Sequence, residues 1–421
     1  MALVDAVSDS AIAGAAQTLA REEFQAPNAP HFGHDPAWAA LRATGSRLWL
    51  DTGDLDAARK LWTADFTNLT TNNTLVNKEV QKGLFDDLIP KAAERLQSAQ
   101  PGLSQDDLVI EVGFVINCRT ALRLVEAFDA TVSVELHPAM ADDAELSYEY
   151  GRRYFAVCPE RFIVKVPLTP AGFLAARRLS ADGIPINYTL GFSARQNVLA
   201  AAFSRPTYVN VFMGRLNSFV ADNHLGDGIN VGEKTTMATQ VALREGRERR
   251  GWETLLIGAS LRSGQQILDL AGLDVFTMPP AAAEEFHAHF HAHSAEVKSQ
   301  VGREFVVDAK VPEVLDRLWT VPESFYKAAE ALANTDTSGW TGRELAGFVA
   351  DQGVNDLFHQ WSIDQLARIQ ADGKVPNWEY WKDELTSGNV ALDDLMTVSA
   401  LYSFVKDQEA LDARIRKHLP A

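Results

Sequence analysis

The chain has 421 residues, 46% hydrophobic and 23% charged, a globular composition with length for one large domain plus an appendage or for two domains. Its formal charge of -17 argues against nucleic acid and anionic membrane surfaces as partners, since both need a basic footprint, and it obliges any anionic substrate to find local arginines. Two cysteines, Cys118 and Cys158, are too few for a disulfide framework, and neither a signal peptide nor an apolar run of membrane-spanning length is visible, so a cytoplasmic location is expected.

Residues 1 to about 45 read as an alanine-rich helix followed by an irregular lead-in, turn-like around Gln25-Ala26-Pro27-Asn28-Ala29-Pro30. Arg47-Leu48-Trp49-Leu50 is a short apolar strand ending in Asp51-Thr52-Gly53-Asp54, with Asp54 placed to cap a helix from Leu55 to Trp62. A second strand, Phe66 to Leu69, leads through Thr70-Thr71-Asn72-Asn73-Thr74 into a helical pattern running to about Leu96; Asn72 by itself is an ordinary turn residue. The segment from Leu108 to Val125 carries both strand-like and helical patterns, and its length favours a helix. Thr131 to Leu136 is a strand with Glu135 near its end.

The stretch Phe162-Ile163-Val164-Lys165-Val166 follows, a β-branched run interrupted by one lysine. Such a lysine either lies at an edge with its ammonium in water or is a buried amine, which desolvation equips to attack a carbonyl carbon. Thr169 and Pro170 read as the cap and first residue of a helix to Leu179, so Lys165 falls near the carboxyl end of its strand. Further strands are Ile184 to Leu190, containing Asn187 and Thr189, Thr207 to Met213, containing Asn210 and Phe212, Thr254 to Ser260, and Val275 to Pro280. Ser193-Ala194-Arg195-Gln196 and Ser263-Gly264-Gln265-Gln266 are capping boxes, the second opening a helix that ends near Gly272. A turn-rich loop from Asp222 to Gly232 precedes a helix from Thr235 to Arg250.

Eight strands alternating with helices between about residues 46 and 295 fit a (β/α)8 TIM barrel, of roughly 250 residues. A doubly wound sheet is the competing topology, but no Gly-x-Gly-x-x-Gly follows the first strand. The expected organisation is an extension over 1–45, the barrel over 46–295 and a mainly helical region over 296–421. Asp51, Glu135, Lys165, Asn187, Arg215 and Arg262 all fall at or just beyond strand ends, and in a barrel those ends meet at one mouth. Arg215, Ser260 and Arg262, with a helix amino end close behind, suit a phosphate dianion. The run His287-Ala288-His289-Phe290-His291-Ala292-His293 offers two i,i+4 pairs, but no carboxylate or cysteine cluster in the sequence completes a metal site; it reads as a solvated helix face, and no metal is expected.

Taken together these residues resemble the transaldolase family of class I, Schiff-base-forming aldolases. The resemblance rests on Asp51-Thr52-Gly53-Asp54, Thr70-Thr71-Asn72, the strand ending in Glu135, Ile163-Val164-Lys165, Gly183-Ile184-Pro185-Ile186-Asn187-Tyr188-Thr189-Leu190 with Phe192-Ser193, Phe212-Met213-Gly214-Arg215 and Ala259-Ser260-Leu261-Arg262. Leu392-Asp393-Asp394-Leu395 and Phe404 to Leu411 resemble the family's closing helix.

The resemblance implies an enzyme of the pentose phosphate pathway that moves a dihydroxyacetone unit between sugar phosphates without a cofactor, working as a monomer or homodimer. It assigns Lys165 to the imine, Asp51 to acid/base work at the C4 hydroxyl, and Glu135, with a water held by Thr189, to proton movement during imine formation. Asn72 and Asn187 would orient the three-carbon unit, Asn210 and Phe212 would line the substrate site, and Arg215, Ser260 and Arg262 would hold phosphate. A fructose 6-phosphate aldolase, in which tyrosine usually stands at position 212, and a catalytically silent binding barrel are the alternatives. Four features depart from the family pattern: Asn73 in place of a proline, Asn210 in place of a serine, the amino-terminal extension, and an extra region over 296–385. Trp319, Trp340, Trp361, Trp378 and Trp381 in that region are expected to form a small helical core.

Overall fold

The computed structural model describes residues 10–27 and 30–420. Eight parallel strands close into a barrel in sequence order: β1 (Arg47–Asp51), β2 (Phe66–Thr70), β3 (Thr131–Glu135), β4 (Phe162–Pro167), β5 (Ile186–Thr189), β6 (Tyr208–Phe212), β7 (Leu255–Ala259) and β8 (Val275–Met278). Closure is made by β1 pairing with β8, Leu48 opposite Phe276. Each strand is a short run of β-branched, aromatic or leucine residues between turn signals, which is why all eight were visible in the sequence. The fold expected from the alternation is thus the one observed.

The caps behave as their chemistry requires. Asp54 accepts the backbone N–H groups of Asp56 and Ala57, and Thr169 accepts that of Gly172 ahead of the helix Pro170–Ala181. The ambiguous segment is a 24-residue helix, Gln105–Phe128, buried along most of its length. The expected single helix to Leu96 is two: Asn73–Gln81 stops at Lys82-Gly83, where Gly83 takes φ +82°, and Leu88–Ala99 starts afresh. The helix after the Asp222 loop begins at Val231, earlier than its periodicity indicated, and the helix after Ser263 is only Gly264–Asp269. Before the barrel lie helices Ala11–Arg21 and Pro36–Ala43; Asn28 and Ala29, inside the turn expected between them, are outside the described residues.

The region after β8 carries the helices Pro312–Trp319, Glu323–Ala333, Gly342–Asp351, Ile363–Asp372 and Trp378–Ser387. The tryptophans expected in a small helical core are packed inward but on the main core: Trp381 belongs to it, and Trp319, Trp340, Trp361 and Trp378 pack against it. Trp361 packs edge-on against the buried Trp381 at 5.7 Å, whereas Trp340 packs on Phe348 and Trp319 lies under Lys234 of the helix Val231–Arg250. Most of these helices plate the outer helices of the barrel, so their apolar faces extend its core.

The helix Leu392–His418 then runs back across the barrel mouth. Asp393 clamps its start: both carboxylate oxygens take Arg195 at 2.8 Å, Ser193 donates to Oδ2 at 2.6 Å, and Asp356 accepts the other arm of Arg195. Further along, Thr74 donates to Asp407 and Arg414 pairs with Asp86. Its middle lowers Phe404 toward the strand ends.

Candidate active site

The carboxyl ends of the strands open into a cavity of about 780 Å³, whose lining includes Asp51, Asn72, Lys165, Asn187, Asn210, Phe212, Arg215, Ser260 and Arg262. Nine of the eleven residues singled out in the sequence therefore face one space. Glu135 and Thr189 are buried beside it but do not form its wall.

Strand register assembles the centre. Glu135 on β3 is opposite Lys165 on β4, which is opposite Asn187 on β5, so three polar residues stand side by side at one level of a closed barrel. Lys165 is 4% exposed, which removes the edge-strand alternative. Its Nζ donates to the Thr71 carbonyl at 3.3 Å and lies 3.9 Å from Glu135 Oε2. Burial pushes the Glu135 carboxyl up, while Lys165 and a backbone N–H from Asn73, 3.2 Å from Oε2, pull against that rise. Asn73 also donates its side-chain amide to the Leu136 carbonyl. A proline at position 73 has no N–H to give Glu135, so this departure from the family pattern adds a donor to the site.

Asp51 ends β1. Burial raises its carboxyl as well, opposed first by Lys165 and then by a 2.6 Å hydrogen bond from Thr70. Thr70 has one hydroxyl proton, and giving it to Asp51 leaves its oxygen to accept from Thr277, 2.7 Å away on β8. Thr70 and Thr277 thus form a relay beneath Asp51 that sequence reasoning did not single out, because threonine is an ordinary strand residue. Asn187 donates to Ser133 at 3.0 Å while its Oδ1 is buried without a hydrogen-bond partner, and the buried Thr189 hydroxyl faces the Glu135 carboxylate, whose rise it opposes. An atom such as Asn187 Oδ1 calls for a water or a ligand.

Asn72 caps the helix Asn73–Gln81 by accepting the Leu75 N–H, and still lines the cavity. Asn210 accepts from the Gly191 N–H and donates to the Tyr188 carbonyl at 2.6 Å, so one end of its amide and one donor are committed to holding the turn after β5. Its part in the wall is mainly steric. The Phe212 ring meets Phe192 edge-on and leans toward Phe404.

At the mouth, Arg215 lies over Phe404 with its guanidinium carbon 5.5 Å from the ring centre, and its Nη1 is buried without a partner. Burial, then repulsion from Arg262, pushes Arg215 down to about 10, still charged at neutral pH. The helix Met213–Asp222, which starts directly after β6, touches the loop after β7: a Cβ on Gly214 would sit 2.3 Å from the Ser260 carbonyl oxygen, so glycine is what lets helix and loop bring their arginines together. Ser260 itself takes φ +61°, a left-handed backbone of the kind that collects at ligand-binding sites. Gln266 accepts the Arg262 N–H at 2.6 Å and donates to Glu233, which fixes the backbone before the short helix. Lys78, Lys82 and Lys374 also line the opening; Lys374 comes from the region after the barrel, and no spacing rule in the sequence could have brought it here.

A closed parallel barrel with one buried lysine, two buried carboxylates and a cationic mouth has the composition of an aldolase-type site. The chain belongs to the Transaldolase/Fructose-6-phosphate aldolase family, whose model matches residues 48–335, more than half of its length. It is 29% identical over 303 residues to a protein named transaldolase from Xanthomonas campestris pv. campestris (strain B100), covering 68% of this chain and 92% of that one. It is 31% identical over 245 residues to a transaldolase of Xanthomonas oryzae pv. oryzae (strain PXO99A), covering 56% and 74%, and 27% identical over 245 residues to one of Protochlamydia amoebophila, with the same shares.

Among the described residues no helix is long and apolar enough to cross a membrane.

The histidine run departs from expectation. A carboxylate does meet it: Asp35, from the chain before the barrel, lies 2.8 Å from both His287 Nε2 and His291 Nδ1. The sequence could not show this, since the partners are more than 250 positions apart.

Proposed function

We propose that this protein is a transaldolase, passing a dihydroxyacetone unit from a ketose phosphate to an aldose phosphate through an imine on Lys165. The reading is supported most by one observation, the buried Lys165 flanked in register by Glu135 and Asn187. The Nζ lone pair attacks the ketose C2; the carbonyl oxygen is protonated and leaves as water, leaving a protonated imine. Glu135 takes and returns the protons these steps need, through a water hydrogen-bonded to the Thr189 hydroxyl. Asp51 removes the C4 hydroxyl proton, the C3–C4 bond breaks, and its electron pair flows into the imine to give an enamine as the aldose phosphate departs. Attack of the enamine carbon on a second aldose phosphate, with Asp51 returning its proton to the new alkoxide, runs the sequence backwards. Asn72 and Asn187 hold the hydroxyls of the three-carbon unit, and Arg215, Ser260 and Arg262 hold the phosphate. Reaction is cofactor-independent, since the imine is the electron sink.

Borohydride reduction in the presence of fructose 6-phosphate, followed by peptide mass spectrometry, tests this. A reduced dihydroxyacetone adduct is expected on Lys165 alone, and Lys165→Arg is expected to abolish both trapping and transfer. An adduct on another lysine, or activity retained by Lys165→Arg, refutes the mechanism.

A further inference from the structure

The groups outside the barrel mouth that converge best are Asp35, His287 and His291. Their ligand atoms, one from each residue, all lie within 4.8 Å of one another, and among the described residues no other group of three His, Cys, Asp or Glu side chains converges in this way. The two histidines are one turn apart at the end of the helix Pro280–Phe290, where the unpaired carbonyls of a helix carboxyl terminus favour a cation. Asp35 is anchored from its other oxygen: Oδ1 caps the helix Pro36–Ala43 by accepting the N–H groups of Ala37 and Trp38, which leaves Oδ2 alone to face the imidazoles. Trp38, itself buried against Phe286, stacks on the His287 ring at 5.8 Å and 24° and so fixes its plane. Supports of this kind, behind the ligands, are what distinguish a metal site from a chance meeting of polar groups.

We propose that Asp35, His287 and His291 form a structural site for a divalent transition metal of the zinc type, which staples the chain preceding the barrel to the helix that follows the last strand. Two imidazole nitrogens and one carboxylate oxygen are the ligand types such an ion takes, and the side chains of His287 and His291, 36% and 55% exposed, leave a side open for ion entry and for water to complete the coordination. Without metal, Oδ2 can only accept, so both facing nitrogens must carry hydrogen. With metal, those nitrogens present lone pairs and each proton moves to the far nitrogen of its ring or to solvent. The site is remote from the chemistry: Pro280 is at the cavity mouth, and seven helical residues at about 1.5 Å each put His287 roughly 10 Å further along the axis. The neighbouring pair His289 and His293 stacks at 5.4 Å but, among the described residues, has no carboxylate completing a group of three, which makes it an internal control.

The test uses the untagged full chain, stripped with chelator and titrated with zinc chloride by calorimetry and with cobalt(II) by visible absorption. One equivalent is expected, with cobalt bands of low coordination number and a zinc-dependent rise in melting temperature. His287→Gln and His291→Gln are expected to weaken binding at least tenfold and to abolish the melting shift, as is Asp35→Asn, whose amide oxygen can still cap the helix; His289→Gln is expected to bind like wild type. Absence of a saturable equivalent in the wild-type chain overturns the proposal, whatever the variants do. So does binding that survives in His287→Gln and His291→Gln or is lost in His289→Gln.

Discussion

Asn73→Pro removes one N–H from the Glu135 carboxylate together with the side-chain amide bond to the Leu136 carbonyl, and leaves the local backbone as it is. Asn73 is the first residue of its helix, where proline is tolerated, and Asn72 before it has extended backbone, φ -156° and ψ 170°, as a residue preceding proline prefers. A hydrogen bond to a charged acceptor contributes about 1.5–3 kcal/mol, and at 3.2 Å this one belongs at the weaker end, so its loss is worth roughly tenfold in the ionisation of Glu135. The sign follows from the balance of forces. Burial raises Glu135, and the N–H opposes it; without the N–H the carboxyl rises further and is protonated at pH values where the wild type is ionised. The acidic limb of kcat/KM for transfer should therefore move toward neutral pH, with activity on that limb about tenfold lower and the plateau kept. Asn73→Ala supplies the control, since it retains the N–H and loses only the amide bond to Leu136. A limb unmoved by proline, or moved equally by alanine, refutes the reasoning.

Arg262→Ala should raise KM for phosphorylated sugars by roughly tenfold or more, from loss of a charge-assisted contact worth about 1.5–3 kcal/mol, while turnover of unphosphorylated ketose stays nearly unchanged; equal losses on both in steady-state assays would make the residue structural. Phe212→Tyr brings a hydroxyl to an apolar wall and should speed release of free dihydroxyacetone from fructose 6-phosphate without acceptor at the expense of transfer, as read by product assays with and without erythrose 4-phosphate. A wild-type enzyme releasing dihydroxyacetone as fast without acceptor as it transfers it with one would instead be an aldolase. Arg195→Met strands Asp393 in the interior and should cost about 3–5 kcal/mol in urea unfolding at neutral pH. Burial raises Asp393, but Arg195 outweighs it and holds the carboxyl below its usual value, so the stabilisation is present above about 3.8 and the gap between variant and wild type should narrow as pH falls below that.

Much of this molecule was legible because its strands are short, apolar and bounded by turn residues, and because a lysine inside such a strand is anomalous enough to notice. Position along each strand then implied convergence at one mouth. What stayed hidden is what depends on long-range packing. Thr70 and Thr277 are unremarkable until β1, β2 and β8 stand together, Phe404 and Lys374 reach the cavity only because the chain folds back over it, and Asp35 meets its histidines only where the pairing of β1 with β8 closes the barrel. The helical periodicity from Asn73 to Leu96 was real, but a glycine at position 83 outweighed it.

The helix Leu392–His418 has a consequence for how the protein comes into being. All eight strands exist once residue 278 is made, yet Phe404, and the clamp of Asp393 on Arg195, are encoded more than a hundred residues later. At about 5–20 residues per second, synthesis leaves an interval on the order of ten seconds in which the strands are complete and the mouth is unroofed. During that time Lys165, the proposed imine former, faces a cavity that still lacks Phe404, so the last wall of the site is added only after the barrel is built.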